Sequence, residues 1–200
     1  MEYPDFFDKV EKIILKDDLS DFLGVFRNGI VEISYLDIVK SAGHSCPTVA
    51  GAYLMTLFGL KALYGTEIPV RGGVKAEFSG PETEGVTGVI ANVVENITGA
   101  TAVRGFKGIG GHFVRHSLMY FNAAIAADLR LTRIDNGLGA DIYYNPDKIP
   151  GDPRMKELMP VVLQGRSSVK EKELFGTLWQ ERVADIINNA TEVISVHMLK

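Results

Sequence analysis

The chain has 200 residues, of which 46% are hydrophobic and 23% charged, and its formal net charge is −4 at pH 7. This composition is typical of a globular domain, and its acidic balance argues against nucleic acid as a main partner, because phosphate contacts require a basic surface. A single cysteine excludes an internal disulfide framework and fits a reducing compartment, so we expect a cytoplasmic location.

The N-terminal part of the chain predicts a helix followed by a hairpin. The first residues are acidic and lack the apolar segment of a secretory signal. Apolar positions recur at helical spacing in residues 6–15, which predicts a helix there. Asn28 and Gly29 stand between two apolar runs, which predicts a β-hairpin across residues 21–34. We expect residues 36–41 to form a short helix that leads to the central stretch.

The central stretch, residues 42–65, holds His44 and Cys46, the latter being the only cysteine of the chain. Pro47 fits the first turn of a helix, and a residue that precedes proline is restricted to extended backbone. His44 and Cys46 are therefore predicted to project to one side, just above the N-terminus of a helix over residues 47–64. That helix is apolar on nearly every face and too short for a membrane span, which predicts a core helix.

The pairing of His44 with Cys46 predicts a metal site. The positive end of a helix favours the thiolate over the thiol, and imidazole and thiolate together suit zinc or another divalent transition metal. A closed site takes three or four ligands, so two residues leave it incomplete. The alternative is that the cysteine is a small buried hydrophobic residue and that the histidine is only hydrogen-bonded.

After the central helix, residues 70–79 alternate as in a half-buried strand, and residues 86–97 follow a helical pattern. The glycine-rich segment 105–111 matches neither a Walker A nor a dinucleotide-binding motif, so we expect a tightly turned connector, with a phosphate cradle as the alternative. His112 and His116 follow it. Because residues four apart share a face, they are candidates to complete the metal site; the alternative is that both lie on the surface beside Arg115.

The last third of the chain predicts strands and then a helical extension. Residues 118–121, 124–134 and 140–144 read as an antiparallel meander. The proline-rich residues 145–153 suggest a boundary, so we divide the chain into a domain (1–146) and a C-terminal helical extension packed on it (147–200). A capping box at Ser168 and Glu171 opens a helix whose apolar stripe carries the only tryptophan, and residues 191–199 read as a final strand.

The motif Gly43-His44-Ser45-Cys46-Pro47, followed by a long apolar helix with Gly51, resembles the FmdE family, which is named for one of the subunits of molybdenum formylmethanofuran dehydrogenase. The resemblance covers roughly residues 37–146 and includes the segment 97–101. It implies an α+β fold, with a mixed or antiparallel sheet packed by helices and similar to the GAPDH C-terminal-type domain. It also implies a homodimer and a metal, commonly zinc, held by His44 and Cys46.

The chain departs from the FmdE pattern in two ways. Thr48 stands where many members have glycine. The chain also lacks the further cysteine that many members carry and the C-terminal zinc finger that some carry. The remaining ligands must then be His, Asp or Glu residues, a partner chain or a bound molecule.

Three hypotheses for the function follow from this motif. The first is a cytoplasmic, homodimeric metal-binding accessory protein that handles a metal centre or cofactor for a redox-enzyme partner. The second is an enzyme acting on a small molecule, with a metal or Cys46 as the reactive group and Glu77, Glu82, His112 or His116 as acid or base. The third is a carrier of haem or another ligand, with His44 and Cys46 as axial ligands. None of the three involves nucleic acid or a membrane.

Overall fold

Helices and a mixed sheet make up the fold of the computed structural model, which describes residues 2–199, so the expected α+β class is confirmed. The α-helices are Asp18–Phe22 (α1), Tyr35–Ala42 (α2), Pro47–Tyr64 (α3), Thr87–Thr98 (α4), Arg154–Leu163 (α5), Val169–Asn188 (α6) and Ala190–Val193 (α7). The strands are Ile13–Lys16 (β1), Ile30–Ile33 (β2), Val74–Phe78 (β3), Met119–Tyr120 (β4), Leu129–Arg133 (β5), Gly139–Tyr144 (β6) and Ile194–Met198 (β7). Short 3-10 helices lie at Asp5–Lys9, Arg27–Gly29 and Pro146–Lys148.

The main sheet has five strands in the order β4-β3-β5-β6-β7. β3, β5, β6 and β7 pair antiparallel, whereas β4 pairs parallel to β3 at one edge. The predicted meander is therefore wrong for residues 118–121, which join β3 instead of the strand that follows them in sequence. β7, predicted as the final strand, closes the other edge against β6, so the C-terminal extension contributes a strand to the sheet as well as its helices.

Helix α3 forms the centre of the core and has the bounds that the sequence predicts. Cys46 and Gly65 flank it, and 13 of its 18 residues are buried. The helix packs on β5, β6 and β7 of the sheet and is covered by α2, α4 and α6. Because the sheet and these three helices surround it, α3 is buried on nearly all sides. No helix within residues 2–199 is long and apolar enough to cross a membrane.

The N-terminal prediction is wrong in two places. Residues 6–15 form a 3-10 helix and then β1, in which buried Ile13 and Leu15 alternate with exposed residues. The hairpin partner of β2 is β1, not residues 22–26. Asp17 is the cause, because its side chain accepts the Ser20 N–H and thereby starts α1 where a strand was expected.

Candidate metal site

Cys46 has the conformation that the Pro47 argument predicts. Its backbone is extended (φ −150°, ψ 169°), and it is the N-cap residue of α3. The Val49 N–H donates to the Cys46 Sγ at 3.4 Å. The sulfur therefore lies at the positive end of an 18-residue helix, where negative charge is stabilised.

His44 is exposed, and a backbone carbonyl orients its ring. The Nδ1 atom lies 3.0 Å from the Ala42 carbonyl oxygen. Because a carbonyl can only accept a hydrogen bond, Nδ1 carries the proton, which in the neutral ring leaves the lone pair on Nε2. Metal-binding histidines commonly have their second nitrogen fixed in this way. Gly43, in the left-handed region at φ 77°, ends α2 and turns the chain into the motif.

Ser45, between the two candidate ligands, is buried and anchored by its hydroxyl and its carbonyl. Its hydroxyl lies 3.0 Å from the Tyr35 hydroxyl. Its carbonyl oxygen accepts the Trp179 indole N–H at 3.0 Å and the Gln180 side-chain amide at 3.1 Å. Helix α6 of the extension thus fixes the residue that joins His44 to Cys46. Sequence reasoning assigned Trp179 only to an apolar stripe, although its N–H, once partly buried, requires an acceptor.

Tyr144 of β6 contacts the first turns of α3 from the side of the sheet. Its hydroxyl donates to the Pro47 carbonyl at 2.7 Å, in the first turn of α3. Its ring lies where a side chain on Gly51 would stand, since a Cβ built there is 2.2 Å from a ring carbon. Burial raises the pKa of the Tyr35 and Tyr144 hydroxyls, and nearby Cys46 adds to the increase. Both hydroxyls therefore stay neutral beside the sulfur.

The motif brings together two of the four candidate metal ligands, His44 and Cys46. Within residues 2–199, no three His, Cys, Asp or Glu side chains are grouped so that they could hold an ion. His44 and Cys46 are suitable ligands in type and in local geometry, but a closed site needs one or two more. For a metal to bind here, these would have to come from a second chain or from a bound molecule.

His112 and His116 lie away from this motif. His112 lines a cleft beside Gly72, and the His116 Nδ1 atom lies 3.0 Å from the Ser117 hydroxyl. The neighbouring Gly73 carbonyl accepts the hydroxyl of Tyr64, the last residue of α3, at 3.5 Å. The two histidines thus lie near the C-terminal end of α3, whereas Cys46 caps its N-terminal end, and the helix is about 27 Å long. Within one chain, the four predicted ligands do not form one site.

The other predicted acid–base residues are also separate from the motif. Glu77 on β3 pairs with Lys75 at 3.1 Å, and Glu82 lies in the exposed loop after β3. Neither forms a hydrogen bond or an ion pair with His44 or Cys46. The glycine-rich segment 105–111 is a turned connector, and its Phe106 carbonyl accepts the Arg115 backbone N–H at 2.9 Å.

Comparison with known proteins finds similarity at the level of structure. No protein-family model matches the chain, and no curated protein matches it significantly. Among solved structures, the chain is similar to an FmdE-like protein of the tungsten formylmethanofuran dehydrogenase type from Syntrophus aciditrophicus, with a TM-score of 0.42 and 14% sequence identity. The match covers 84% of this chain and 72% of that chain. This relative carries the family name that the motif at residues 43–47 indicated.

Proposed function

We propose that the chain is a metal-binding accessory protein in which His44 and Cys46 bind one divalent transition metal ion, with zinc as the first candidate. The observation that carries the proposal is the geometry of the motif. One backbone bond leaves the His44 Nε2 lone pair free, and Cys46 presents its sulfur at a helix N-terminus two residues away. The role toward a redox-enzyme partner follows from the sequence resemblance.

The surrounding residues fix the orientation of both proposed ligands in the metal-free protein. The Ala42 carbonyl sets the imidazole tautomer, the Val49 N–H stabilises charge on sulfur, and the anchored Ser45 holds their spacing. These two residues would hold a zinc ion through one nitrogen and one sulfur, and further ligands would have to fill the remaining positions of a closed site.

A second copy of the chain is the proposed source of the missing ligands. His44 is exposed, so the motif of another protomer can approach it. Two copies together would supply two imidazoles and two thiolates, a complete tetrahedral set. This arrangement gives one ion per two chains, whereas completion by a bound molecule gives one ion per chain.

The experiment is a zinc titration of the purified, metal-free protein, with stoichiometry and affinity measured by competition with a chromophoric chelator. We expect His44→Ala and Cys46→Ser each to lower the affinity by more than about 100-fold, because loss of a ligand exceeds the 10–100-fold cost of losing a group that merely orients one. His197→Ala is the matched control, since His197 is also exposed but lies on β7. Unchanged zinc affinity in both motif variants would remove the proposal.

The same titration tests the remaining histidines. His112→Ala and His116→Ala are expected to bind zinc like the unmodified protein, because both histidines lie near the C-terminal end of α3, away from His44 and Cys46. A loss equal to that of His44→Ala would mean that these histidines reach the ion, which in this geometry requires a second chain.

A further inference from the structure

A cleft of about 420 Å³ lies near the C-terminal end of α3, away from His44 and Cys46. Its lining combines basic and apolar side chains, among them Arg71, His112, Phe113, Arg115, Leu118 and Ile134. The metal site does not involve these residues, so the cleft calls for a separate explanation.

Arg115 is the most deeply buried charge in this cleft. Its side chain is 9% exposed, and its Nη2 donates to the Asp17 Oδ1 at 2.6 Å. Its Nε and Nη1 groups have no acceptor among the residues that the structure describes. Neither nitrogen is a buried unsatisfied atom, so both remain accessible to solvent. A guanidinium with accessible donors at the wall of a cleft favours an anionic ligand, because hydrogen bonds between a guanidinium and an oxyanion are charge-assisted.

Arg71 adds a second positive charge at the same wall. Its Nη1 lies 3.2 Å from the Asp17 Oδ2, and its other nitrogens donate to the carbonyls of Asn96 and Ile97. Burial lowers the pKa of Arg71, and the charge of Arg115 lowers it further. Two guanidinium groups share one carboxylate, which leaves an excess of one positive charge. Asp18 also lines the cleft, but Lys16 pairs with it at 3.0 Å.

The backbone around Gly99 and the glycine-rich segment leaves space for the Arg115 side chain and fixes the Arg115 backbone. Gly99 has φ +71°, and a Cβ built on it would lie 2.5 Å from the Arg115 Nη1. The Thr101 hydroxyl donates to the Arg115 carbonyl at 2.7 Å, and the Phe106 carbonyl accepts the Arg115 N–H. The glycine-rich segment and the C-terminus of α4 thus hold this arginine in one position.

The rest of the cleft wall is apolar. The Phe113 ring packs against that of Phe22, tilted by 36° with 5.3 Å between ring centroids, and Leu118 and Ile134 also line the cleft. A ligand with a charged end and an apolar body matches this division of the surface.

We propose that this cleft binds a small organic oxyanion, with its carboxylate or phosphate group against Arg115 and Arg71 and its apolar body against Phe113 and Ile134. The proposal does not depend on the metal site, and the two can fail separately.

The test is calorimetric titration of metal-free protein in the presence of EDTA. The probes are phenyl phosphate, benzoate, inorganic phosphate and benzyl alcohol. We expect saturable one-to-one binding of at least one aromatic anion and none of benzyl alcohol, which lacks the charge. Stronger binding of phenyl phosphate than benzoate would identify a phosphate ligand, and the reverse order a carboxylate. Absence of saturable binding by both aromatic anions would overturn the proposal.

Variants locate the binding. Arg115→Lys keeps a charge for Asp17 but removes the free guanidinium donors, so we expect binding to weaken at least about tenfold. Arg130→Lys is the matched control, because Arg130 also pairs with an aspartate, Asp141, but lies outside the cleft. Phe113→Ala should weaken binding of the aromatic anions and leave that of inorganic phosphate unchanged.

A crystal structure of the unmodified protein with the tighter-binding aromatic anion makes the test independent of how the variants fold. Electron density for the anion beside Arg115 supports the proposal. Density elsewhere, or equal affinity of a folded Arg115→Lys variant, contradicts it.

Discussion

At the scale of single residues, Gly51 determines how closely Tyr144 of the sheet approaches the first turn of α3. The Tyr144 ring occupies the space of its missing side chain and thereby brings the Tyr144 hydroxyl to the Pro47 carbonyl. Helix propensity alone would favour alanine at this position, so packing outweighs propensity here.

Gly51→Ala is therefore expected to destabilise the protein. Overpacking against the Tyr144 ring costs about 1–3 kcal/mol, against a gain of about 1 kcal/mol in helix propensity. Urea unfolding measures the difference. Gly176→Ala is the control, because Gly176 lies in α6 with nothing within 4 Å of a built Cβ, and it should gain about 0.5–1 kcal/mol. Stabilisation by both substitutions would show that Tyr144 does not rest on Gly51.

Asp17 is the second residue on which the fold depends, because it caps α1 and pairs with two arginines. Asp17→Asn keeps the cap but leaves both guanidinium groups without a counter-charge. We expect the free energy of unfolding to fall by about 3–5 kcal/mol at neutral pH, as measured by urea unfolding. Asp152→Asn, which removes an exposed partner of Arg154, should cost less than about 1 kcal/mol.

The same residue makes stability dependent on pH. Burial alone would raise the pKa of Asp17, but the Ser20 N–H and Arg115 outweigh it and hold the pKa below its ordinary value. The stabilisation is therefore present above the ordinary pKa and is lost as the pH falls through the lowered one, below about pH 4. The Asn variant should show a shallower loss of stability in acid. An acid limb as steep as that of the unmodified protein would contradict this role.

At the scale of elements, α6 carries the side chains that donate to the Ser45 carbonyl, between His44 and Cys46. Trp179→Phe removes one of the two donors to the Ser45 carbonyl and keeps most of the apolar packing. We expect zinc affinity to fall about tenfold, as is usual when a group that orients a ligand is lost. Phe175→Leu, one turn earlier on the same helix, is the control for packing and should leave zinc affinity unchanged. Equal affinity in both variants would mean that α6 does not support the site.

Elements whose signals are local were predictable from sequence. Pro47 and Gly65 define α3, and the capping box at Ser168 opens α6 at the predicted position. Elements that depend on distant partners were not. Residues 118–121 pair with β3, and the Trp179 indole finds its acceptor 134 residues away at Ser45. The extended backbone of Cys46 at the helix N-terminus could be predicted. The groups that anchor the motif depend on tertiary contacts that no spacing encodes.

At the scale of the whole molecule, α3 organises two separate regions. Its N-terminus carries the motif with His44 and Cys46. The cleft that Arg115 lines is near its C-terminus. The extension contributes at the first of these, because α6 anchors Ser45 and β7 completes the sheet on which α3 packs. The division of the chain at residue 146 stays a prediction, although residues on both sides of it build the candidate metal site.

The central claim, that imidazole and sulfur bind one ion at this motif, is tested most directly by X-ray absorption at the zinc edge on zinc-loaded protein. We predict sulfur at about 2.3 Å and imidazole nitrogen at about 2.0 Å from the metal, with the sulfur contribution lost in Cys46→Ser and the imidazole contribution reduced in His44→Ala. A coordination shell without sulfur, or one unchanged in both variants, would contradict the account.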